Sequence, residues 1–273
     1  MERLEFPNHC QNGQWASSYD PVVMGKMRAD TVNSAQGNLT GLHCDKCKNR
    51  GFIAIGRDDG TFFTRECECV PVRRCMRQME RSGLGQSIRE KTFENFSTDT
   101  PWQKALKEGA QKYAMELSGW LLMGGQSGCG KTHLCTAICA RLMEGGRPVV
   151  YMPWREYIGR MKSMSLDSKE RFSLIDSCKQ AQVLYIDDLY KTGRGHDGSD
   201  NPTGSDISLA FEIINHRYIN RLPTVISTER TPQELVAIDE ATGSRIVELC
   251  GEHVYSVAKS PEKNYRLRAV VNL

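Results

Sequence analysis

At residues 120–132 the sequence reads WLLMGGQSGCGKT, an apolar run followed by a glycine-rich loop. The first four residues predict a buried strand, and the segment from Lys131 to about Glu144, followed by two glycines, predicts a helix. The last eight residues fit the pattern G-x-x-x-x-G-K-[ST] at every position. A strand, such a loop and a helix in this order predict a phosphate-binding loop (P-loop).

The residue types in this loop indicate how it would hold a triphosphate. Backbone N–H groups turn inward around the phosphates, and the N-terminus of the following helix adds partial positive charge. Lys131 would contact the β- and γ-phosphates, and the Thr132 hydroxyl would ligate Mg²⁺. The residues predicted to bind ATP are Gly125, Gln126, Ser127, Gly128, Cys129, Gly130, Lys131 and Thr132.

A P-loop also needs an acidic residue on a neighbouring strand to hold the metal ion. The segment 183–187 consists of four apolar residues and an acid, which predicts a buried strand. Asp187 is expected to hold Mg²⁺ together with Thr132, directly or through water. Asp188 is expected to orient or deprotonate the attacking water. The alternative, a strand end with two solvated acids, leaves the P-loop without its metal-binding partner.

From about residue 92 onward, helix-like and strand-like segments alternate, which predicts an α/β fold with a parallel sheet. Further helices are predicted at 101–117, 154–163, 168–178 and 206–220, further strands at 148–152, 224–227 and 265–271, and a capping box at 231–234. The predicted divisions of the chain are a polar, weakly ordered arm at 1–42, a zinc-binding module at 43–80, a linker at 81–100 and a nucleotide-binding domain at 101–273.

Two close cysteine pairs in the 43–80 segment predict a structural Zn²⁺ site. Nineteen residues that resemble a hairpin separate the pairs. A segment this short has too small a core to fold without a metal ion or another cross-link. A set of reduced, unligated thiols is the alternative. The predicted ligands are Cys44, Cys47, Cys67 and Cys69, with Cys75 and His43 as substitutes.

Several segments together resemble the AAA+ ATPases of the DnaC/IstB-type helicase-loader family. They are the P-loop, Ile186-Asp187-Asp188, Thr92-Phe93-Glu94-Asn95-Phe96, Gly243-Ser244-Arg245-Ile246 and Asn264-Tyr265-Arg266-Leu267-Arg268. The resemblance covers about residues 43–270. It is most specific toward DnaC-like replication proteins of phages and Gram-positive bacteria, which also carry an N-terminal cysteine cluster.

The resemblance implies a fold, a function and roles for three arginines. The fold is a three-layer AAA+ domain, a parallel sheet with helices on both faces, beside a small zinc-ribbon-like domain. The function is to load a replicative DNA helicase onto single-stranded DNA, with the zinc module docking on the helicase. Arg245 matches an arginine finger, which acts on the ATP of a neighbouring subunit and so implies self-association. Arg266 or Arg268 matches the sensor-2 region. A solvated surface charge is the alternative for each.

One position departs from the family pattern. The strand that ends at Thr228 is usually followed by an Asn that senses the γ-phosphate, and this sequence has Glu229 there. Thr228 could hydrogen-bond the water or phosphate, or Glu229 could act through a water. Because a carboxylate would be repelled by the phosphate, slow hydrolysis is expected.

DNA contacts are predicted at two sites. Aromatic and basic residues interleave on the 154–163 helix, where rings could stack on bases and cations could neutralise phosphates. The alternative is a helix whose basic residues are solvated and whose aromatic rings pack in the core. The candidates are Trp154, Arg155, Tyr157, Arg160 and Lys162 at the first site, and Lys191, Arg194 and His196 at the second.

The composition is that of an ordinary soluble protein. The 273 residues are 39% hydrophobic and 25% charged, with a net charge of +3 and no apolar run of membrane-spanning length. The N-terminus lacks the pattern of a secretory signal, and eleven cysteines form an odd set, so we expect a cytoplasmic protein with reduced thiols. Alternatives to helicase loading are an IstB-like transposition helper ATPase and a nucleotide-gated adaptor with little hydrolysis.

Overall fold

The chain folds into two units, and the boundary between them lies between Val70 and Pro71. The structure is a computed structural model that describes residues 20–81, 85–165, 168–191 and 201–267, with the backbone alone at 78–81 and 85–87. The first unit carries the two cysteine pairs, and the second carries the P-loop and the acidic strand.

In the first unit, a helix packs against a two-stranded antiparallel hairpin. The elements are α1 (Pro21–Ser34), β1 (Phe52–Gly56) and β2 (Phe62–Glu66). The Asn33 side chain binds both the N–H and the carbonyl of Ala54, at 3.0 and 2.9 Å. This amide therefore satisfies the backbone groups on the free edge of β1 and fixes the helix to it.

Helix α1 lies in the segment that the sequence pattern predicts to be a weakly ordered arm, so that interpretation is wrong for these residues. The buried residues of α1 are Gly25 and Ala29, which are too small to form an apolar stripe. A Cβ on Gly25 would lie 2.3 Å from the Arg57 carbonyl oxygen, so the close approach of helix and hairpin depends on glycine there.

The remaining elements follow in chain order. The helices are α2 (Cys69–Arg81), α3 (Gly85–Glu90), α4 (Pro101–Glu116), α5 (Lys131–Glu144), α6 (Trp154–Ser163), α7 (Lys169–Gln180), α8 (Gly204–Ile219), α9 (Pro232–Ile238) and α10 (Glu240–Cys250). The strands are β3 (Trp120–Gly125), β4 (Val149–Pro153), β5 (Val183–Asp187), β6 (Thr224–Ser227) and β7 (Val254–Val257). Two 3₁₀ turns, Pro261–Lys263 and Tyr265–Leu267, come after β7.

The five strands of the second unit form one parallel sheet in the order β4-β5-β6-β3-β7. Trp120 and Leu122 of β3 lie in the main core with residues of α8 and α10. Leu121 and Met123 are equally buried and point to the opposite face, where α5 contacts the sheet. Helices therefore cover both faces, which confirms the predicted α/β class.

Helix α5 and strands β5 and β6 have the predicted bounds, whereas the end of the chain differs. Helix α10 and strand β7 have no counterpart among the predicted elements. A strand is predicted at 265–271, but Tyr265–Leu267 is a 3₁₀ turn and residues 268–271 lie outside the described residues. The Tyr265 N–H donates to the Gly128 carbonyl at 2.9 Å, so this segment crosses the P-loop instead of joining the sheet.

Candidate nucleotide and magnesium site

The P-loop between β3 and α5 has the backbone of a phosphate-binding loop. Gly125, Gly128 and Gly130 have φ angles of 93°, 74° and 97°, which favour glycine. A Cβ on Gly128 would lie 2.0 Å from Asn264 Oδ1, because the turn after β7 packs directly on the loop. Lys131 is buried, and its Nζ lies within 2.9 Å of two loop carbonyl oxygens. The ammonium is therefore inside the loop, where the predicted phosphates would bind.

The Asp187 carboxylate lies at the carboxyl end of β5, beside the start of α5. Its Oδ1 accepts a hydrogen bond from Thr132 Oγ1 at 3.1 Å, so the two predicted magnesium ligands are adjacent. Three more hydroxyl groups donate to the same carboxylate, those of Tyr185 (2.7 Å), Ser227 (2.5 Å) and Tyr151 (3.0 Å). A carboxylate and a hydroxyl are oxygen ligands of the kind that Mg²⁺ prefers, so the residues fit this ion.

The two tyrosines remain hydrogen-bond donors to Asp187. Burial, and then the charge of Asp187, raises the pKa of Tyr151 and of Tyr185. Both phenols are therefore protonated at neutral pH. Their O–H groups fix the orientation of the carboxylate that would face the metal ion.

Asp188 and Glu229 share one lysine at the same edge of the sheet. Lys191 Nζ lies 2.9 Å from Asp188 Oδ2 and 2.9 Å from Glu229 Oε1. Burial opposes the ionisation of Glu229, but the hydrogen bond from Lys191 and the charge of that lysine outweigh it, so the pKa of Glu229 is lowered. Burial likewise opposes the charge on Lys191, but hydrogen bonds to the two carboxylates raise its pKa. Lys191 and Glu229 are therefore both charged at neutral pH.

Of the two candidates for the sensor position, only Glu229 lines the cavity. Thr228 is fully buried, its hydroxyl donates to the Leu189 carbonyl at 2.8 Å, and it accepts from the Arg230 N–H at 3.1 Å. The Thr228 hydroxyl is therefore hydrogen-bonded to backbone groups and does not face the cavity. The charge of Lys191 offsets that of Glu229, which reduces the repulsion expected from an isolated carboxylate.

A cavity of about 260 Å³ lies over the P-loop, and it includes residues to which the sequence analysis gives no role. The Phe96 ring packs edge-on against His133, with 5.3 Å between the ring centroids. A Cβ on Gly130 would lie 2.5 Å from the Phe96 ring. Tyr265 also lines the cavity. The sequence signal for both residues is the pair of segments, 92–96 and 264–268, that supports the family resemblance.

The three arginines differ in their placement. Arg266 lines the cavity, whereas Arg268 lies outside the described residues. Arg245 is on α10 and is not among the cavity residues. Its guanidinium carbon lies 5.4 Å from the ring centroids of both Phe211 and Tyr218. Arg245 is thus held against α8, away from the cavity of its own chain.

The four predicted zinc ligands of the first unit come together. Their sulfur atoms all lie within 4.8 Å of one another, and two of the separations are 3.8 Å (Cys44 to Cys67) and 3.6 Å (Cys47 to Cys69). Four sulfurs at about 2.3 Å from a tetrahedral Zn²⁺ would be roughly 3.8 Å apart, so the group fits this ion. The substitute His43 instead contacts Asp45 at 2.9 Å, and Cys75 belongs to the second unit.

The predicted DNA contacts on α6 need correction. Trp154 is buried in the main core and the partly buried Tyr157 packs against it, so these rings do not form an exposed stacking platform for bases. Arg160 pairs with Glu170 at 2.7 Å, and Lys162 pairs with Asp206 at 2.8 Å. Arg155 is exposed. At the second site, Lys191 belongs to the nucleotide cavity, and Arg194 and His196 lie outside the described residues.

Within the described residues, no helix is both long enough and apolar enough to cross a bilayer.

Comparisons with known proteins agree with the geometry of the second unit. A family model described as the bacterial DnaA ATPase domain matches residues 88–249. The phage-like element PBSX protein XkdC of Bacillus subtilis (strain 168) is 30% identical over 268 residues, which cover 92% of this chain and 96% of that protein. The replicative helicase loader DnaC of Escherichia coli (strain K12) is 23% identical over 176 residues, which cover 63% of this chain and 67% of that protein.

A solved structure shows the same fold. The replication initiator DnaA bound to AMPPCP and single-stranded DNA aligns with a TM-score of 0.50 at 19% identity. The alignment covers 63% of this chain and 50% of that one, so the chain spans about half the length of that initiator.

Proposed function

We propose a function for this chain, which belongs to the AAA+ ATPases of the DnaC/IstB helicase-loader type and whose residues 88–249 match the bacterial DnaA ATPase domain. In this proposal the cavity binds ATP with Mg²⁺ and hydrolyses it to ADP and phosphate. The observation that carries the proposal is the 3.1 Å hydrogen bond between Thr132 and Asp187. It joins the two halves of the site, which are 55 residues apart in the chain.

Each residue has a defined part in this reaction. The loop amides and Lys131 bind the β- and γ-phosphates, while Thr132 and Asp187 hold the metal ion, which when bound neutralises phosphate charge. Asp188 accepts a proton from the attacking water. The water oxygen bonds to the γ-phosphorus, the bond from that phosphorus to the β–γ bridging oxygen breaks, and ADP leaves.

The test of nucleotide binding is Lys131→Ala. Because the variant lacks the charge that contacts the phosphates, Mg·ATP affinity should fall about a hundredfold or more. Titration calorimetry measures the affinity, and circular dichroism verifies the fold. Lys112→Ala is the control, since Lys112 is an ion-paired lysine that does not line the cavity. Unchanged affinity in Lys131→Ala would refute the assignment of the loop.

We infer further that ATP binding assembles copies of this protein with a replicative helicase and single-stranded DNA, and that hydrolysis releases them. The similarity to a protein named as a replicative helicase loader supports this role. So does the fold shared with an initiator bound to single-stranded DNA. A pull-down from the source cell with Mg·ATP should recover a replicative helicase. Recovery of a transposase instead would favour the transposition helper.

Action of Arg245 on a neighbouring subunit is a separate part of the proposal. Its position away from its own cavity supports it. Arg245→Ala and Lys131→Ala should each abolish turnover alone. A mixture of the two should recover part of it, because an intact P-loop then meets an intact arginine from the other chain. A mixture that stays inactive would contradict action between subunits.

A nucleotide-gated adaptor with little hydrolysis is the second candidate, and one observation favours it. Asp188, the proposed proton acceptor, is ion-paired with Lys191. A general base that is held in an ion pair accepts a proton less readily, which would slow the chemical step. Turnover with and without single-stranded DNA separates the candidates, since an adaptor stays slow in both conditions.

A further inference from the structure

Lys191 is brought to the cavity by a constrained turn after β5. Asp188 and Tyr190 have φ angles of 57° and 60°, which residues other than glycine seldom adopt. Tyr190 is buried, and its ring packs edge-on against Trp154 with 5.5 Å between the centroids. The Leu189 N–H also donates to a β6 carbonyl at 2.8 Å. Packing in the core and the hydrogen bond to β6 thus hold this turn in an unfavourable backbone conformation. The fold therefore fixes the position of Lys191.

The ammonium of Lys191 forms ion pairs with two carboxylates, each of which follows a different strand. Asp188 follows β5 and Glu229 follows β6, and each lies 2.9 Å from Lys191 Nζ. All three side chains are about one-third exposed, so solvent screens their interaction only in part.

A bound triphosphate would add a third anion beside this lysine. Ser127, Asp188, Lys191 and Glu229 all line the cavity. Glu229 would repel the γ-phosphate, and Lys191 would attract it. A lysine carries one compact charge on a flexible stem, so it cannot neutralise three anions fully at once.

We propose that Lys191 is a positioning residue that couples the γ-phosphate of ATP to the release of Asp188. This inference rests on the proposed ATPase function. In the paired arrangement the lysine engages Asp188 and keeps it from accepting a proton. When ATP binds, the ammonium moves toward the γ-phosphate, and Asp188 becomes free to take the proton of the attacking water. ADP has no γ-phosphate, so it leaves the pairing intact.

The comparison of ATP with ADP separates this role from a purely structural one. A lysine that only neutralises neighbouring acids would affect both nucleotides alike. A lysine that moves to the γ-phosphate contributes to ATP binding alone. Since Glu229 competes for the same charge, removing the charge of Glu229 should have the opposite effect.

The experiment titrates the full chain with AMPPCP and with ADP, both with Mg²⁺. In Lys191→Met the ratio of AMPPCP to ADP affinity should fall about tenfold, and in Glu229→Gln it should rise several-fold, as expected for one charge at close range. Lys191→Arg should keep most of the ratio. The matched control is Lys112→Met, which removes an ion-paired lysine elsewhere on the domain and should leave the ratio unchanged.

Two results would overturn the inference. One is an equal loss of AMPPCP and ADP affinity in Lys191→Met, and the other is an unchanged ratio in Glu229→Gln. If Lys191→Met does not fold, the affinity ratio in Glu229→Gln alone tests the inference. A wild-type protein that binds neither nucleotide would instead overturn the proposed function itself.

Discussion

The Asp187 carboxylate accepts hydrogen bonds from hydroxyl groups on four elements, namely α5, β4, β5 and β6. A magnesium ligand is useful only if its oxygen points at the ion in a fixed direction, and partners behind the ligand provide that direction. Tyr151 is the donor to Oδ2, whereas the other three donate to Oδ1. The orientation of Asp187 therefore depends on Tyr151 more than on any one of the others.

Tyr151→Phe should weaken magnesium binding while keeping the ring in place. We expect the Mg²⁺ concentration for half-maximal turnover to rise about tenfold, the lower end of the effect of losing a partner behind a metal ligand. A magnesium titration of ATPase activity measures it.

Tyr157→Phe is the matched control, because Tyr157 lies on α6 and donates no hydrogen bond to Asp187. Equal magnesium requirements in the two variants would show that Tyr151 does not orient the metal ligand.

The positions of single residues in the candidate site were predictable where they depended on a local pattern. Lys131, Thr132 and Asp187 each stand at a fixed place in a short segment, and the structure brings them together. The contact between Lys191 and Glu229 joins residues 38 positions apart. It also depends on the left-handed backbone of Asp188, which no sequence pattern indicates. The sequence alone therefore predicts a DNA contact for Lys191, and its place in the cavity comes from the structure.

Arg217 connects three elements of the second unit through one side chain. It is fully buried near the end of α8 and donates to the carbonyls of Cys178, Lys179 and Ala181 at the end of α7. It also bonds Pro223 and Thr224 at the start of β6. Burial lowers its pKa to about 10, so it still carries its charge at neutral pH. The cation satisfies carbonyls that a helix end leaves without partners.

Arg217→Met should destabilise the second unit strongly. Leaving several buried carbonyls unsatisfied costs about 1–3 kcal/mol for each group, so we expect a loss of roughly 3 kcal/mol or more. Urea unfolding followed by circular dichroism measures the change.

Arg221→Met is the comparison for this loss. Arg221 is exposed and stacks on Tyr218, and its removal should cost only about 0.5 kcal/mol or less. A similar small loss for Arg217→Met would refute the connecting role.

Helices and strands were predictable where an apolar period was strong. The bounds of α5 and β5 agree with the pattern because glycines and acids mark their ends. Helix α1 was missed, since its contact with the hairpin uses the small residues Gly25 and Ala29. On α6 the pattern predicts an exposed Trp154, but this ring is buried, because alternation of aromatic and basic residues does not indicate which face of a helix is buried.

The two units of the chain are stabilised by different means. The second has a large apolar core around the sheet. In the first, the described cluster of buried apolar contacts is formed by the cysteines with Ile53 and Val70. The first unit is therefore expected to depend on Zn²⁺, and the second to fold without it.

Removal of zinc should unfold the first unit alone. Elemental analysis should find one zinc per chain. After treatment with a zinc-selective chelator, hydrogen exchange should increase in residues 20–70 and not in the sheet. Mg·ATP binding, measured with magnesium restored, should be retained.

Cys47→Ser should have the same effect as the chelator, because it removes one sulfur of the four. Cys178→Ser is its control, as Cys178 is a buried cysteine of the second unit. Zinc content well below one per chain in the untreated protein would contradict a metal site.

Strand β7 and the 3₁₀ turn Tyr265–Leu267 complete the site from the far side of the P-loop. The Gln126 N–H donates to the Val257 carbonyl at 2.9 Å, and Tyr265 bonds Gly128. A ribosome makes these residues more than a hundred positions after the loop that they support. A nascent chain that already contains the lysine and both aspartates would still have an open pocket, so nucleotide capture would follow the synthesis of β7 and of this turn.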